Sequence, residues 1–420
     1  MSLTKTEISQ NAGIKPVLII AALFFIFGFV TWLNSVLIPY LKIACELNNF
    51  ESYLVAFSFY ISYLVMAIPS AWVLKLSGYK KGMALGLLMM ALGALIFIPA
   101  AISRAYPLFL MGLFIQGTGL AVLQTAANPY TIIIGPAKSA ARRISMMGIG
   151  NKIAGALAPV IMGAITLRDI DGLKMRLLKM DGYDRAAELD LLAERVIMPY
   201  AILTVVLVVL AVLIFLSGLP EIEAEGLEDQ TADTGMDLKC YPHLLLGVLT
   251  MFLYVGVEVI AGDSIISYGS FQGIPLHTAK FFTTYTLMSM IAGYIIGIIC
   301  IPRYLSQENA LKISAITGIV FSLVALFTNG YVSVMFIALL GLANALMWPA
   351  IWPMAIAGLG RLIRIGSSML IMAVSGGAIL PLLYGRLADG LNPQLAYTVL
   401  LPSYAFIMYY AVKGHKLKST

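Results

Sequence analysis

The chain has 420 residues, 60% of them hydrophobic and only 11% charged, with a strongly positive mean hydropathy, whereas about a quarter of the residues in a soluble globular domain carry charge. That excludes a soluble globular fold and makes the lipid bilayer the first partner. A net charge of +6 scattered through short loops argues against nucleic acid, and three isolated cysteines, Cys45, Cys240 and Cys300, suggest neither a disulfide framework nor a zinc site.

The polar start MSLTKTEISQNAGIK is not followed by a short apolar core and a small-residue cleavage site, so the first apolar segment is expected to remain as a helix. Crossing hydrocarbon takes about 20 apolar residues. Runs of that kind stand at about 16–41, 52–74, 82–103, 105–137, 144–167, 196–220, 240–271, 281–302, 313–329, 331–360, 365–385 and 391–412, predicting an all-α protein of twelve transmembrane helices. The ninth is the shortest, and its border with the tenth lies near Asn329-Gly330. Lysine and arginine favour the cytoplasmic side. Cytoplasmic N- and C-termini put Lys75, Lys80, Lys81, Arg142, Arg143 and Lys413 inside and leave few bases in the outer loops. The charged stretch 168–195 then falls outside, where its Leu and Ala spacing predicts an amphipathic surface helix. The acidic stretch 221–239 reads as a cytoplasmic linker between a six-helix half at 1–220 and another at 240–420.

The halves repeat. "GLAVLQTAANPY" (119–130) followed by "AGALAP" (154–159) is answered by "GLANALMWPAIWP" (341–353) followed by "GGAILP" (376–381), and laying Gly28 on Gly256 sets Ser35 opposite Asp263. Internal symmetry of this kind marks a secondary transporter with its site near the midplane, between the repeats.

Three charges sit inside spans: Lys152 in the fifth, Glu258 and Asp263 in the seventh. Each costs about 2.5–3.5 kcal/mol at the centre of a membrane helix on insertion scales and is functional by default. Lys152 is expected to reach one of the two acids across the interface of the halves, and the remaining negative charge invites a cation. Glu258 and Asp263 lie about 140° apart around a regular helix of 3.6 residues per turn, so one ion reaches both only if the helix opens near Gly262. Carboxylate, Ser264 hydroxyl and freed carbonyls offer hard oxygens for sodium, whereas a proton needs only one buried carboxyl; as a possible metal site this names Glu258 and Asp263 only. No cofactor beyond the coupling Na+ or H+ is expected.

The uncharged polar residues suit a polyol. Gln124 and Asn128 are one turn apart on the fourth span, Thr31 and Asn34 share a face of the first, Asn151 adjoins Lys152, and Asn344, Trp348 and Trp352 step by four along the tenth. Amides match vicinal hydroxyls, and indole faces match the apolar face of a pyranose. The three histidines, His243, His277 and His415, are isolated and no GxGxxG occurs, so no enzyme is expected.

These residues carry a resemblance. "LQTAANPY" (123–130) resembles the signature of the fucose:proton symporter branch of the major facilitator superfamily, and "FGFVTWLNSVLIPYL", "FLYVGVEVIAGDSIISYG" and "MWPAIWP" resemble its glucose/galactose transporters. The resemblance implies two pseudo-symmetric six-helix halves that rock about a monosaccharide site in a bacterial inner membrane, with Thr31, Trp32, Asn34 and Ser35 as the first-helix wall. Two departures stand out: Ser35 and Gln124 occupy positions where the fucose branch has an aspartate and a glutamate, so coupling is expected to pass through Glu258 and Asp263, and the loss of those two proton sites together with the resemblance favours sodium over a proton. The expected function is symport of glucose or galactose by a monomer. A non-transporting sugar receptor and a carrier of fucose or an N-acetylamino sugar are the alternatives.

Overall fold

A computed structural model describes residues 14–133, 140–219, 241–301, 304–359 and 363–417; the expected linker 221–239 lies outside the described residues. Among the described residues all regular structure is helical. Eleven helical stretches among the described residues are long and apolar enough to cross a membrane. One of them, Asn49–Ile102, is two spans joined at Gly78, whose φ of 75° breaks the helix. Only glycine enters that left-handed region freely, so spans 2 and 3 turn on a single residue rather than on a loop. With that division the count is twelve.

Span 9, expected to be short, is a full Gln307–Phe327. Its first turn is polar, which hid it from the hydropathy reading, and Ser306 caps it by accepting from the Asn309 N–H at 3.2 Å. The border with span 10 falls at Thr328-Asn329. The stretch 168–195 forms two helices, Ile170–Leu177 and Gly182–Glu194, that bury Ile170, Leu173, Leu189 and Leu192. Tyr40 of span 1 fastens the second by donating to the Leu192 carbonyl at 2.6 Å.

Burial sorts the spans. In span 6 (Ile197–Leu216) the most apolar window is only 28% buried, against 67% for span 7, which begins at Pro242. Val205, Val212 and Leu213 of span 6, like Leu88, Leu92 and Leu95 of span 3, present exposed apolar side chains as lipid-facing helices must. Four of the central spans are interrupted. Span 1 is Ile14–Trp32 and Asn34–Ala44; span 7 is Pro242–Asp263 and Ile265–Phe271; span 10 is Gly330–Asn344 and Met347–Ile356; span 11 passes through a 3-10 turn, Ala373–Ser375. Discontinuous helices at mid-depth are tolerated where neighbours satisfy the freed backbone or where it lines a cavity.

The halves meet through span 2 against span 11 and span 5 (Ala140–Thr166) against span 8 (Phe282–Cys300). Toward one end of the bundle they are fastened together. Asp389, at the end of span 11, accepts from the Asn49 and Phe50 N–H groups at 3.0 and 2.8 Å and from the Asn49 amide at 2.8 Å, so it caps span 2 of the other half. Asp171 of the surface helix accepts from the Leu276 and His277 N–H groups at 2.9 and 3.0 Å and contacts the His277 ring at 3.0 Å. Burial pushes the Asp171 carboxyl up, but these donors outweigh it and hold the group below its ordinary value. Behind them Tyr53 meets Tyr384 edge to face, with centroids 5.4 Å apart.

Candidate transport site between the halves

The fastened end seals a polar centre. Lys152 Nζ of span 5 stands 2.7 Å from Glu258 Oε1 of span 7, and both side chains are nearly buried. This is the one ion pair among the described residues that joins the halves in the apolar interior, and it realises one of the two pairings expected for Lys152. The same ammonium lies 5.2 Å above the Trp32 ring, where the ring quadrupole adds attraction.

Trp32 is the joint of the site. Its indole is wedged between Gly155 of span 5 and Gly262 of span 7, and a methyl group at either glycine would overlap the ring. It packs with Ala156, Leu287, Met290 and Ala345, so spans 1, 5, 8 and 10 converge on it. Thr284 of span 8 adds a bridge between the halves by donating to the Ala156 carbonyl at 2.9 Å.

Asp263 behaves differently from Glu258. It is 0% exposed, and neither carboxyl oxygen has a hydrogen-bond partner. Span 7 is interrupted at the next residue, Ser264, but its backbone stays in the right-handed helical region, so the opening near Gly262 that one ion would need to reach both acids is not seen. The oxygens there already have partners. The Gly262 carbonyl accepts from Thr283 at 2.7 Å, and the Ser264 hydroxyl donates to the Ile260 carbonyl at 2.6 Å and contacts the Tyr397 hydroxyl at 2.7 Å.

Among the expected sugar ligands, Asn34 is buried with both amide atoms unpartnered. Asn344 accepts from Tyr404 at 2.9 Å while its NH2 remains without a partner. Trp348 and Trp352 stack at 5.5 Å and 25°, half-buried, and Trp348 meets Tyr254 of span 7 edge-on at 6.3 Å. The break of span 10 separates this pair from Asn344, so the three do not continue one regular stripe. Gln124 and Thr31 are half-buried on spans 4 and 1. Asn151 donates to the Phe24 carbonyl at 3.2 Å, and the Ser35 hydroxyl, fully buried, donates to the Trp32 carbonyl at 2.8 Å. Both are therefore occupied within their own half. Asn128 is on span 4, but its side chain lies outside the described residues.

A sequence model of the Major Facilitator Superfamily matches residues 20–381. The chain belongs to this superfamily. It is 33% identical over 418 residues to a glucose/galactose transporter of Brucella abortus, with 98% of this chain and 97% of the relative covered. It is 29% identical to the L-fucose-proton symporter of Escherichia coli, with 95% and 93% covered. The crystal structure of the superfamily transporter FucP in the outward conformation matches with a TM-score of 0.71 at 28% identity, covering 96% of this chain and 99% of that one. A D-xylose-proton symporter structure at 14% identity and a TM-score of 0.70 repeats the fold.

Within this superfamily member, sequence reasoning missed Tyr254, Thr283, Tyr397 and Tyr404 around the site. Tyr254 stands one turn before Glu258 and Tyr404 five residues before Tyr409 in an aromatic-rich span, a spacing signal too common among membrane helices to single them out. Gly155 and Gly262 were legible as glycines; their task became legible only with Trp32 between them.

Proposed function

We propose that the protein is a proton-coupled symporter of a neutral monosaccharide, glucose or galactose, in a bacterial inner membrane. The observation that carries the reading is the contrast between two acids on one broken helix, Glu258 held by Lys152 and Asp263 buried with no partner. An ionised carboxylate without donors in an apolar interior is costly, and such a group takes a proton instead. The proton replaces the sodium ion expected from the sequence, because the Gly262 carbonyl and the Ser264 hydroxyl that would ligate sodium are already hydrogen-bonded.

The sugar reading rests on the unpartnered amide groups of Asn34 and Asn344 and on the stacked indoles of Trp348 and Trp352, together with whole-length similarity to relatives named glucose/galactose transporters. Asn34 and Asn344 supply hydrogen bonds to hydroxyls, and Trp348 and Trp352 take the apolar ring face. Gln124, Asn128 and Thr31 complete the wall from the first half.

The lysine and arginine distribution turns the fastened end to the outside of the cell, with both termini in the cytoplasm. The described state is then closed outward. Trp32 and the Lys152–Glu258 pair form the latch. Outward reopening separates them, exposes Asp263 to the outer medium for protonation, and readmits sugar; inward release of sugar and proton resets the cycle.

The test is uptake of labelled glucose and galactose by the full chain in proteoliposomes under separately imposed proton and sodium gradients. Accumulation on a pH gradient in sodium-free buffer is expected, with unimpaired exchange of sugar between the two sides at zero gradient. Accumulation on sodium alone overturns the proton assignment; binding without any exchange overturns transport and leaves a receptor.

A further inference from the structure

A polar cavity of about 330 Å3 lies at the fastened end, lined by neither Lys152 nor Glu258. Its walls come from both halves: Lys42, Asn49 and Tyr53 from spans 1 and 2, Ser267, Ser270 and Phe271 from the outer piece of span 7. Its size is at the low end of the roughly 300–1,000 Å3 found for small-molecule sites. Ser267 lines the cavity, and its hydroxyl, buried just behind the wall, has no hydrogen-bond partner, so a small rotation of the side chain would offer a donor and an acceptor to a ligand. Phe271 is largely exposed and stacks at 6.3 Å and 21° on Tyr268, so an aromatic face is held rigid at the rim. Lys42 bonds Asn49, and Asn49 in turn bonds Asp389, so a cation and an anion flank one amide. That balance suits a neutral polyol better than an anion.

From this arrangement we infer that the cavity is an outer vestibule site for the transported class of ligand, a monosaccharide, and that its occupation holds the outer end shut. The inference rests on the carrier reading. The reason for the second part is geometric. Walls drawn from both halves exist as one cavity only while the halves are fastened, so a ligand there binds the outward-closed state and not the outward-open one. A ligand shifts an equilibrium by its differential affinity for the two states. At ten times its dissociation constant a ligand confined to one state favours that state about tenfold. External sugar at high concentration therefore slows the reopening that each new cycle requires, and the net uptake rate falls.

Initial uptake of labelled D-galactose into sugar-free proteoliposomes, measured against external concentration, reads this directly. The wild-type rate is expected to rise, pass through a maximum and decline. Ser267→Ala and Phe271→Ala are expected to reach a plateau with no decline while keeping the wild-type concentration dependence at low sugar, since neither residue belongs to the central site. A plateau in the wild type, or the same decline in both variants, overturns the vestibule while leaving transport intact. Absence of uptake of D-glucose, D-galactose and L-fucose alike by membrane-inserted protein overturns the carrier reading, and the vestibule with it.

Discussion

At the fastened end every acid that joins the halves is satisfied; at the centre several buried polar atoms are not. Asp389 accepts three hydrogen bonds from span 2 and Asp171 takes three contacts from the segment before span 8. By contrast, both oxygens of Asp263, both amide atoms of Asn34 and the NH2 of Asn344 have no partner although the residues are buried. Unpaired buried polar groups cost about 1–3 kcal/mol each; Ser70, Thr118 and Ser322 are in the same position elsewhere in the bundle, and the centre is set apart by having a carboxyl, Asp263, among its unpaired groups. On the proposed function, the difference separates contacts that hold a state from groups that a proton or a sugar completes.

The sharpest way to break that comparison is at Asp263. Asp263→Asn is expected to abolish gradient-driven accumulation, bringing internal and external sugar to equality, while exchange of labelled sugar persists. Accumulation by the variant at the wild-type level would remove Asp263 from coupling.

Next comes the latch. Lys152→Ala leaves Glu258 buried without its cation, and removal of one partner from a buried pair destabilises by about 3–5 kcal/mol. A large fall in thermal stability is expected in detergent, and the double variant Lys152→Met with Glu258→Gln should recover most of it while remaining unable to accumulate sugar. No fall in the single variant would mean the pair carries no structural weight.

Gly262→Ala tests the seal around Trp32. The added methyl overlaps the indole in the closed state, and if the halves part there on reopening, the population is expected to move toward the outward-open form, seen as greater labelling of a cysteine placed at Thr283. Trp32→Ala should relieve the collision in the double variant, and unchanged labelling of Gly262→Ala would dissociate the wedge from gating.

The smallest effects belong to the satisfied end. Asp389→Ala removes a cap on span 2 worth about 0.5–2 kcal/mol and is expected to speed outward reopening without altering sugar specificity. For Asp171 the sign follows from its depressed value. The carboxylate contribution to closure is fully present above the ordinary carboxyl value near 4 and is lost as pH falls through the lower value of the closed state. Spin labels across this end should therefore report an unchanged Asp171 contact from neutral pH to about pH 5, and loosening only under stronger acid.

Much of this was legible in the chain itself. Hydropathy located the spans because hydrocarbon demands about 20 apolar residues in each. The repeat of 119–159 in 341–381 and the scarcity of intramembrane charge pointed to Lys152, Glu258 and Asp263 before any coordinates. Span 9 was foreshortened because its first turn, Gln307 to Asn309, is polar and reads as loop. The turn between spans 2 and 3 was read as a segment because nothing local shows that Gly78 alone makes it.

What the sequence determined by itself, then, is whatever depends on residue type and order: the twelve spans, the doubled architecture, and which charges and amides lie at mid-depth. Which acid Lys152 takes, that Asp263 is left without a partner, that Ser35 turns its hydroxyl onto the Trp32 carbonyl, and that Trp32 fills the gap between Gly155 and Gly262 were decided only in the tertiary structure. The reason is physical. A hydrogen bond or an ion pair acts over about 3 Å, and separations that small are fixed by how helices far apart in the chain pack and break, which no pattern within one helix records.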